Sequence, residues 1–421
     1  MDMDEALKTV YEEVSKCNRC GFCQAHCPIF DLTGDERNVA RGHNVHVRKL
    51  LEGTLEMGED FKDPLFECLL CKACVANCFP GVRTDRNVIA GRADYMKRMG
   101  QPRMMHFLFH RLLPDHSRLS PYVRMAAVGK NAGITKLARA LGILSWFGKD
   151  LDKVEGIVER LPTSFFRERP ARGSQPSREG AIRVAYFLGC GFNFVLPEVG
   201  EATVEVLQNA GATVQIAENG CCGLPAYGYG DLEAARKMAQ KNIEVLERTG
   251  ADLVVTDCGS CSAFLKEYPD LFGDDPAEKK RAESLARKVQ GFSEFMRDRL
   301  SPPAPTKFPP KKVTYHDPCH MSRYQKVVQE PRALLKRIPG LTYVELPEAD
   351  RCCGGAGSYN VMHYEQSMRV LDRKIEMLKK TGADILATEC PGCIIQLSYG
   401  VRRAGLGTRI AHLSELLREL I

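Results

Sequence analysis

The stretch Cys17-Asn-Arg-Cys-Gly-Phe-Cys-Gln-Ala-His-Cys-Pro28 constrains this chain more than any other. Four cysteines separated by two, two and three residues and closed by proline are the ligand run of a cubane iron–sulfur cluster. A second run, Cys68-Leu-Leu-Cys-Lys-Ala-Cys-Val-Ala-Asn-Cys-Phe-Pro80, repeats the spacing with one residue inserted before the proline. Zinc sites and disulfide frameworks also use spaced cysteines, but two matching runs favour iron and sulfide. Where two such runs share a chain, the fourth cysteine of each ligates the other cluster. That assigns Cys17, Cys20, Cys23 and Cys78 to one [4Fe-4S] cluster, and Cys68, Cys71, Cys74 and Cys27 to a second.

A chain of 421 residues, 44% of them hydrophobic, can build two or three cored domains. No apolar run reaches the length of a membrane-spanning helix; the strongest, Met104 to Leu113, is broken by His106, His110 and Arg111. The opening residues, Met1-Asp-Met-Asp-Glu-Ala, are acidic and lack an apolar signal core. The expectation is a cytoplasmic protein, at most peripherally associated with the inner face of a membrane. Eighteen cysteines in such a compartment point to metal ligation over disulfides. The formal charge of +6 is mild and reads as a solvated surface; no basic and aromatic stripe argues for nucleic acid.

Residues 4–16 read as a helix, with Leu7, Val10 and Val14 on one face, and Val39 to Glu52 and Arg86 to Arg98 read as two more. Residues 1–100 are therefore expected to form an α-helical ferredoxin-like domain. Residues 101–182 read as a helical connector and linker, with Pro114 and Pro121 as breaks and Arg167 to Gly180 unpatterned. Its apolar residues, Met104, Phe107, Leu108, Leu112, Leu137, Leu141 and Trp146, are expected to pack between domains in preference to forming a docking face.

An internal repeat follows, one copy over 183–300 and one over 301–421. Cys221-Cys222-Gly223 answers to Cys352-Cys353-Gly354, and Cys258-Gly-Ser-Cys261 to Cys390-Pro-Gly-Cys393. Cys190 and Cys319 each follow a strand pattern, Val184 to Leu188 and Val313 to Tyr315. Further strands are expected at Leu253 to Thr256 and Ile385 to Thr388, and helices at Ala202 to Asn209, Leu232 to Glu247 and around Met368 to Leu378. Each copy thus alternates strand and helix as a small parallel α/β unit with three strands. Ligands of such sheets gather beyond the carboxyl ends of the strands, which brings five cysteines together in each copy.

Four cysteines satisfy a cubane or zinc; the adjacent pair suits two irons of a larger assembly. The pattern resembles the CCG domain of the heterodisulfide reductase and succinate:quinone reductase families, in which five such cysteines hold a noncubane [4Fe-4S] cluster. The resemblance implies one such cluster on Cys190, Cys221, Cys222, Cys258 and Cys261 and another on Cys319, Cys352, Cys353, Cys390 and Cys393. Zinc or a cubane in one of the two sites is the alternative. Gly223, Gly354, Gly355 and Gly357 would let the backbone approach the cluster. His316 and His320 bracket Cys319, and His26, His43 and His46 lie in the first domain; for all five a packed or solvated role is the commoner one.

Two cubane runs followed by two CCG copies resemble the family that joins the glycolate oxidase iron–sulfur subunit with heterodisulfide reductase-like proteins. Cys20-Gly-Phe-Cys23, Gly34-Asp-Glu36, Arg41-Gly42 and Cys353-Gly-Gly-Ala-Gly357 favour the glycolate oxidase branch, while the intact Cys258 leans toward the heterodisulfide reductases. The resemblance implies an electron-transfer subunit of a glycolate- or lactate-type 2-hydroxy-acid dehydrogenase complex. An FAD-containing partner would oxidise the substrate, with a quinone-reactive membrane subunit or an electron-transfer flavoprotein beyond. No flavin or nicotinamide fingerprint and no nucleophile–base arrangement stands in the chain, so no catalytic residue is assigned. The rival implication is a disulfide reductase acting at its CCG clusters.

Overall fold

Strands arise where each copy offers β-branched and aromatic residues that can be buried on both faces. The computed structural model describes residues 10–142, 150–169, 180–299 and 310–420. Strands β1 (Arg183–Tyr186), β2 (Thr213–Ile216), β3 (Leu253–Thr256) and β4 (Val289–Gly291) form a parallel sheet in the order β2-β1-β3-β4. Strands β5 (Lys311–Tyr315), β6 (Leu341–Tyr343), β7 (Ile385–Thr388) and β8 (Arg409–His412) repeat it as β6-β5-β7-β8. The registers correspond: Val184 pairs with Leu253, and Val313 with Ile385. Each sheet has four strands where three were expected. The extra ones, β4 and β8, are short edge strands whose Gln290 and Arg409 disrupt any apolar run.

The helices Pro197–Asn209, Leu232–Arg248 and Tyr364–Thr381 follow the expected amphipathic stretches, and Pro391–Arg403 is a further helix after β7. Each copy has buried residues clustered around its own sheet, and a further core is shared between them. Val184, Val255, Phe292 and Phe295 of the first join Val313, Tyr315, Ile385 and Ala411 of the second in one buried cluster.

The N-terminal part is helical, with Ala40–Leu51 packed on Thr84–Met99. Val10 and Val14 are buried against this pair, while Leu7 lies outside the described residues. The connector runs through Arg103–Phe107, a π-helical turn over Leu108–Leu112, His116–Asn131 and Ile134–Ala140. Pro114 does separate two helices, but Pro121 sits inside one and breaks nothing. The packing expected of the connector holds for Leu112 and in part for Leu108; Met104, Phe107, Leu137 and Leu141 face solvent instead. Trp146 and residues 170–179 of the linker lie outside the described residues. Arg167, read as linker, is fixed: its guanidinium donates to the carbonyls of Ala217 and Asn219.

Candidate functional site

The first cysteine run winds around a short helix, Phe22–His26, entered through Gly21 at φ 82°. Cys17, Cys20 and Cys23 are neighbours, and the Cys23 thiol is pushed up by burial and by the charges of the other two. Cys78 accepts a hydrogen bond from the Val82 N–H at 3.4 Å, just beyond the Ala73–Ala76 helix that packs on Phe22–His26. In the second run Leu70 and Lys72 take positive φ values of 51° and 56°, wrapping the chain around its sulfurs.

Cys27, Cys68, Cys71 and Cys74 line one apolar cavity together with Ile29, Ala40 and Leu69. The fourth cysteine of the first run thus lies with the first three of the second. Burial pushes the Cys27 thiol up to about 11 and Cys71 to about 12. These groups are protonated at neutral pH without metal, so binding iron there would release protons.

Each five-cysteine set is built by the carboxyl ends of its two central strands. Cys190 and Cys258 follow β1 and β3; Cys319 and Cys390 follow β5 and β7. All four open helices. Cys190 begins Cys190–Phe194 and Cys319 begins Cys319–Ser322, while Cys258 is the N-cap of Gly259–Glu267 and Cys390 that of Pro391–Arg403. The adjacent pairs sit in turns closed by left-handed glycines, Gly223 at φ 96° and Gly354 at φ 86°. A Cβ on Gly354 would stand 2.6 Å from the Ser367 carbonyl oxygen, so the turn admits no other residue there without displacement. The Gly354 N–H donates to Cys352 Sγ at 3.4 Å.

The ten thiols form one unbroken series. Cys190 contacts Cys221, Cys221 contacts Cys222, Cys222 contacts Cys261, and Cys261 contacts Cys258. Cys258 then meets Cys390, its equivalent in the second copy. From there the series runs Cys393, Cys353, Cys352 and Cys319, with Cys353 and Cys393 sulfurs 3.5 Å apart. At that end Cys352 and Cys319 share an apolar cluster with Cys71 and Cys27 of the N-terminal part. From the Cys27, Cys68, Cys71 and Cys74 set onward, the cysteine sets therefore adjoin one another.

The surroundings fit anionic groups bound by these cysteines. Arg92 is buried, has no carboxylate partner among the described residues, and donates to the carbonyls of Leu65, Cys68 and Gly228. Arg323 donates to the Cys71 carbonyl at 3.2 Å and is paired with Asp350 at 3.0 Å. Lys72 is buried between Glu267, 2.5 Å away, and the Tyr324 ring, 3.2 Å from its centroid. Lys374 lies beside Cys352 and Cys353, and burial lowers its ammonium to about 8. A buried cation without a paired acid is costly unless a negative group stands nearby. Both ring nitrogens of His316 are buried and unpartnered, and one of them lies within 4.8 Å of the Cys353 and Cys393 sulfurs. An acceptor or metal at that site would satisfy one of them.

The expectation of packed or solvated histidines holds for His43, bonded to the Pro64 carbonyl, and for exposed His26, with His46 half-buried against Phe61. His316 and His320 are packed too, but against the cysteines: His320 Nδ1 lies 3.8 Å from Cys319 Sγ and 3.1 Å from Ser260 Oγ. Sequence reasoning missed Arg92, Arg323 and Lys374. Only Lys72, lying inside a cysteine run, carried a local signal.

A 4Fe-4S dicluster domain family matches residues 13–82, and a cysteine-rich domain family matches 184–266 and 313–398. A probable glycolate oxidase iron–sulfur subunit from Bacillus subtilis is 32% identical over 97% of this chain and 94% of its own length. The chain belongs to the glycolate oxidase iron–sulfur subunit family. Lactate utilization protein A of an Exiguobacterium species is 35% identical over 238 residues, covering 56% of this chain and 97% of that protein. A solved structure of a hypothetical protein from Helicobacter pylori covers 90% of this chain and 76% of that chain, at 10% identity and a TM-score of 0.42. As a member of this family the chain is an iron–sulfur protein, and no described helix is long and apolar enough to cross a membrane.

Proposed function

We propose that this chain is the electron-transfer subunit of a flavin-dependent 2-hydroxy-acid dehydrogenase complex of glycolate or lactate type. The observation that carries the reading is the unbroken succession of cysteine sets from Cys68, Cys71, Cys74 and Cys27 through Cys319 and Cys390 to Cys258 and Cys190. Cys17, Cys20, Cys23 and Cys78 would hold one cubane cluster and the Cys68 set, with Cys27, the other. Each five-cysteine set would hold a noncubane [4Fe-4S] cluster. Such groups supply one-electron transfer at potentials set by hydrogen bonds, charge and burial. The protein residues contribute the rest. Arg92, Arg323 and Lys374 offset negative charge at the sulfurs, and the apolar wall of Ile29, Leu69 and Tyr359 excludes water between the N-terminal part and the second copy. The FAD-containing partner would oxidise the hydroxy acid.

Anaerobic purification together with a co-expressed FAD-containing 2-hydroxy-acid dehydrogenase tests the reading. Co-purification, with iron and sulfide near about sixteen each per chain, is expected. Contents near about eight would remove the five-cysteine clusters from it. Reduction of a disulfide by the isolated chain, driven by an artificial donor without flavoprotein, would overturn it in favour of a disulfide reductase.

A further inference from the structure

The connector leaves much of itself uncovered. Of the sixteen residues of His116–Asn131 only His116 and Ala127 are buried, and none of Ile134–Ala140 is. Helices in proteins are held chiefly by burial of one face, and among the described residues these two lack a covering surface. What they present is apolar: Met125 is 71% exposed, Leu137 61% and Leu141 66%. Phe107 stands edge-on to Tyr122 at 6.2 Å, which joins exposed Met104 and Phe107 to the same face.

The charge lies there as well. Arg103, Arg111, Arg118, Arg124, Lys130, Lys136 and Arg139 stand against one acid, Asp115, so residues 103–142 carry a formal +6, equal to that of the whole chain. The remainder is neutral overall. Arg124 is taken by Glu168 and Lys130 by Glu155, and Arg118 lies 3.6 Å from Asp115. Arg103, Arg111 and Lys136 form no ion pair among the described residues. With Glu155 and Glu168 counted against Lys130 and Arg124, four of those six positive charges remain on the connector.

An exposed apolar segment alone would suit a protein or a bilayer; unpaired cations on the same exposed segment suit a surface of lipid phosphates. We propose that this connector face docks the chain on an anionic phospholipid surface, with Met125, Leu137 and Leu141 entering the boundary between headgroups and acyl chains. The proposal does not depend on the electron-transfer reading. The connector is tied to both copies: the Leu113 carbonyl, at the end of the π-helical turn, accepts the Cys221 N–H at 2.9 Å, and Lys136 and Arg139 line a groove with Arg402 of the second copy.

Flotation of the full, iron–sulfur-loaded chain with vesicles tests this, comparing phosphatidylcholine alone with phosphatidylcholine plus phosphatidylglycerol. Wild type is expected to float only with the anionic vesicles and to be released as salt rises. Met125→Glu with Leu137→Glu, and separately Arg111→Glu with Lys136→Glu, should each weaken retention by roughly tenfold or more, with cluster absorbance unchanged. All four residues are exposed, so neither pair removes a core contact. Failure of wild type to float, or full retention by both pairs, overturns the proposal. So does self-association abolished by the Met125→Glu, Leu137→Glu pair in place of vesicle binding, which would assign the face to a second copy of the chain.

Discussion

His316 is one of the residues that distinguish the two sites, along with His320, whose counterpart is Gly191. The counterpart of His316 in the first copy is Phe187, and both are buried beside their cysteines. An imidazole N–H aimed at cluster sulfur raises a potential, and a phenyl ring does not. His316→Phe is expected to move the midpoint of one five-cysteine centre negative by on the order of tens of millivolts. The cubane signals should hold, as EPR-monitored redox titration would show; an unmoved midpoint would remove His316 from the site. Cys78→Ser should disturb the signal of the cluster assigned to Cys17, Cys20 and Cys23, whereas loss confined to the other cubane would refute the exchange of fourth cysteines. At this scale the sequence is most legible: spacing, repeat and resemblance assign all eighteen cysteines. Arg92 and Lys374 are not legible. A lone basic residue on a helix reads as solvated, and only the tertiary fold turns it inward.

Among the elements, the His116–Asn131 helix is tied to the first copy by its first residue. His116 Nδ1 accepts from Asn193 Nδ2 at 3.4 Å and its ring stands edge-on to Phe194. Burial, helped by the Arg167 charge, lowers this imidazole to about 3 from an ordinary 6.5. The fold holds it neutral while the unfolded chain binds a proton below 6.5. Its contribution is therefore complete above pH 6.5 and declines as pH falls toward 3, by about 2 kcal/mol at about pH 5. His116→Asn keeps an acceptor and should flatten the acid limb of a stability–pH curve in urea; an unchanged limb would reject this origin. Strands and long helices are legible nearly to their ends because their burial patterns are regular. The three-residue β4 and the proline inside a helix escape, since neither has a local pattern strong enough to register.

The whole molecule is one cooperative body. The shared core of Val184, Val255, Val313 and Ile385 implies that residues 180–299 expressed alone would expose an apolar wall. Such a fragment is expected to lack a sharp thermal transition and dispersed amide NMR signals, while the full chain melts in one step. A folded fragment would show that the copies are independent. Composition could not foresee either the common core or the charged connector, because both depend on which surfaces the fold brings together.

The meeting of Cys258 with Cys390 has a consequence for descent. Like touches like, and the neighbouring contacts exchange in the same way: Gly191 lies against Pro391, and Gly259 against Met321. That reciprocity is the signature of an isologous dimer interface, here contained in a single polypeptide. An ancestor with one copy would have needed to pair with itself to build this seam. Fusion then freed each side to change alone, and Phe187 opposite His316 is what such freedom leaves behind.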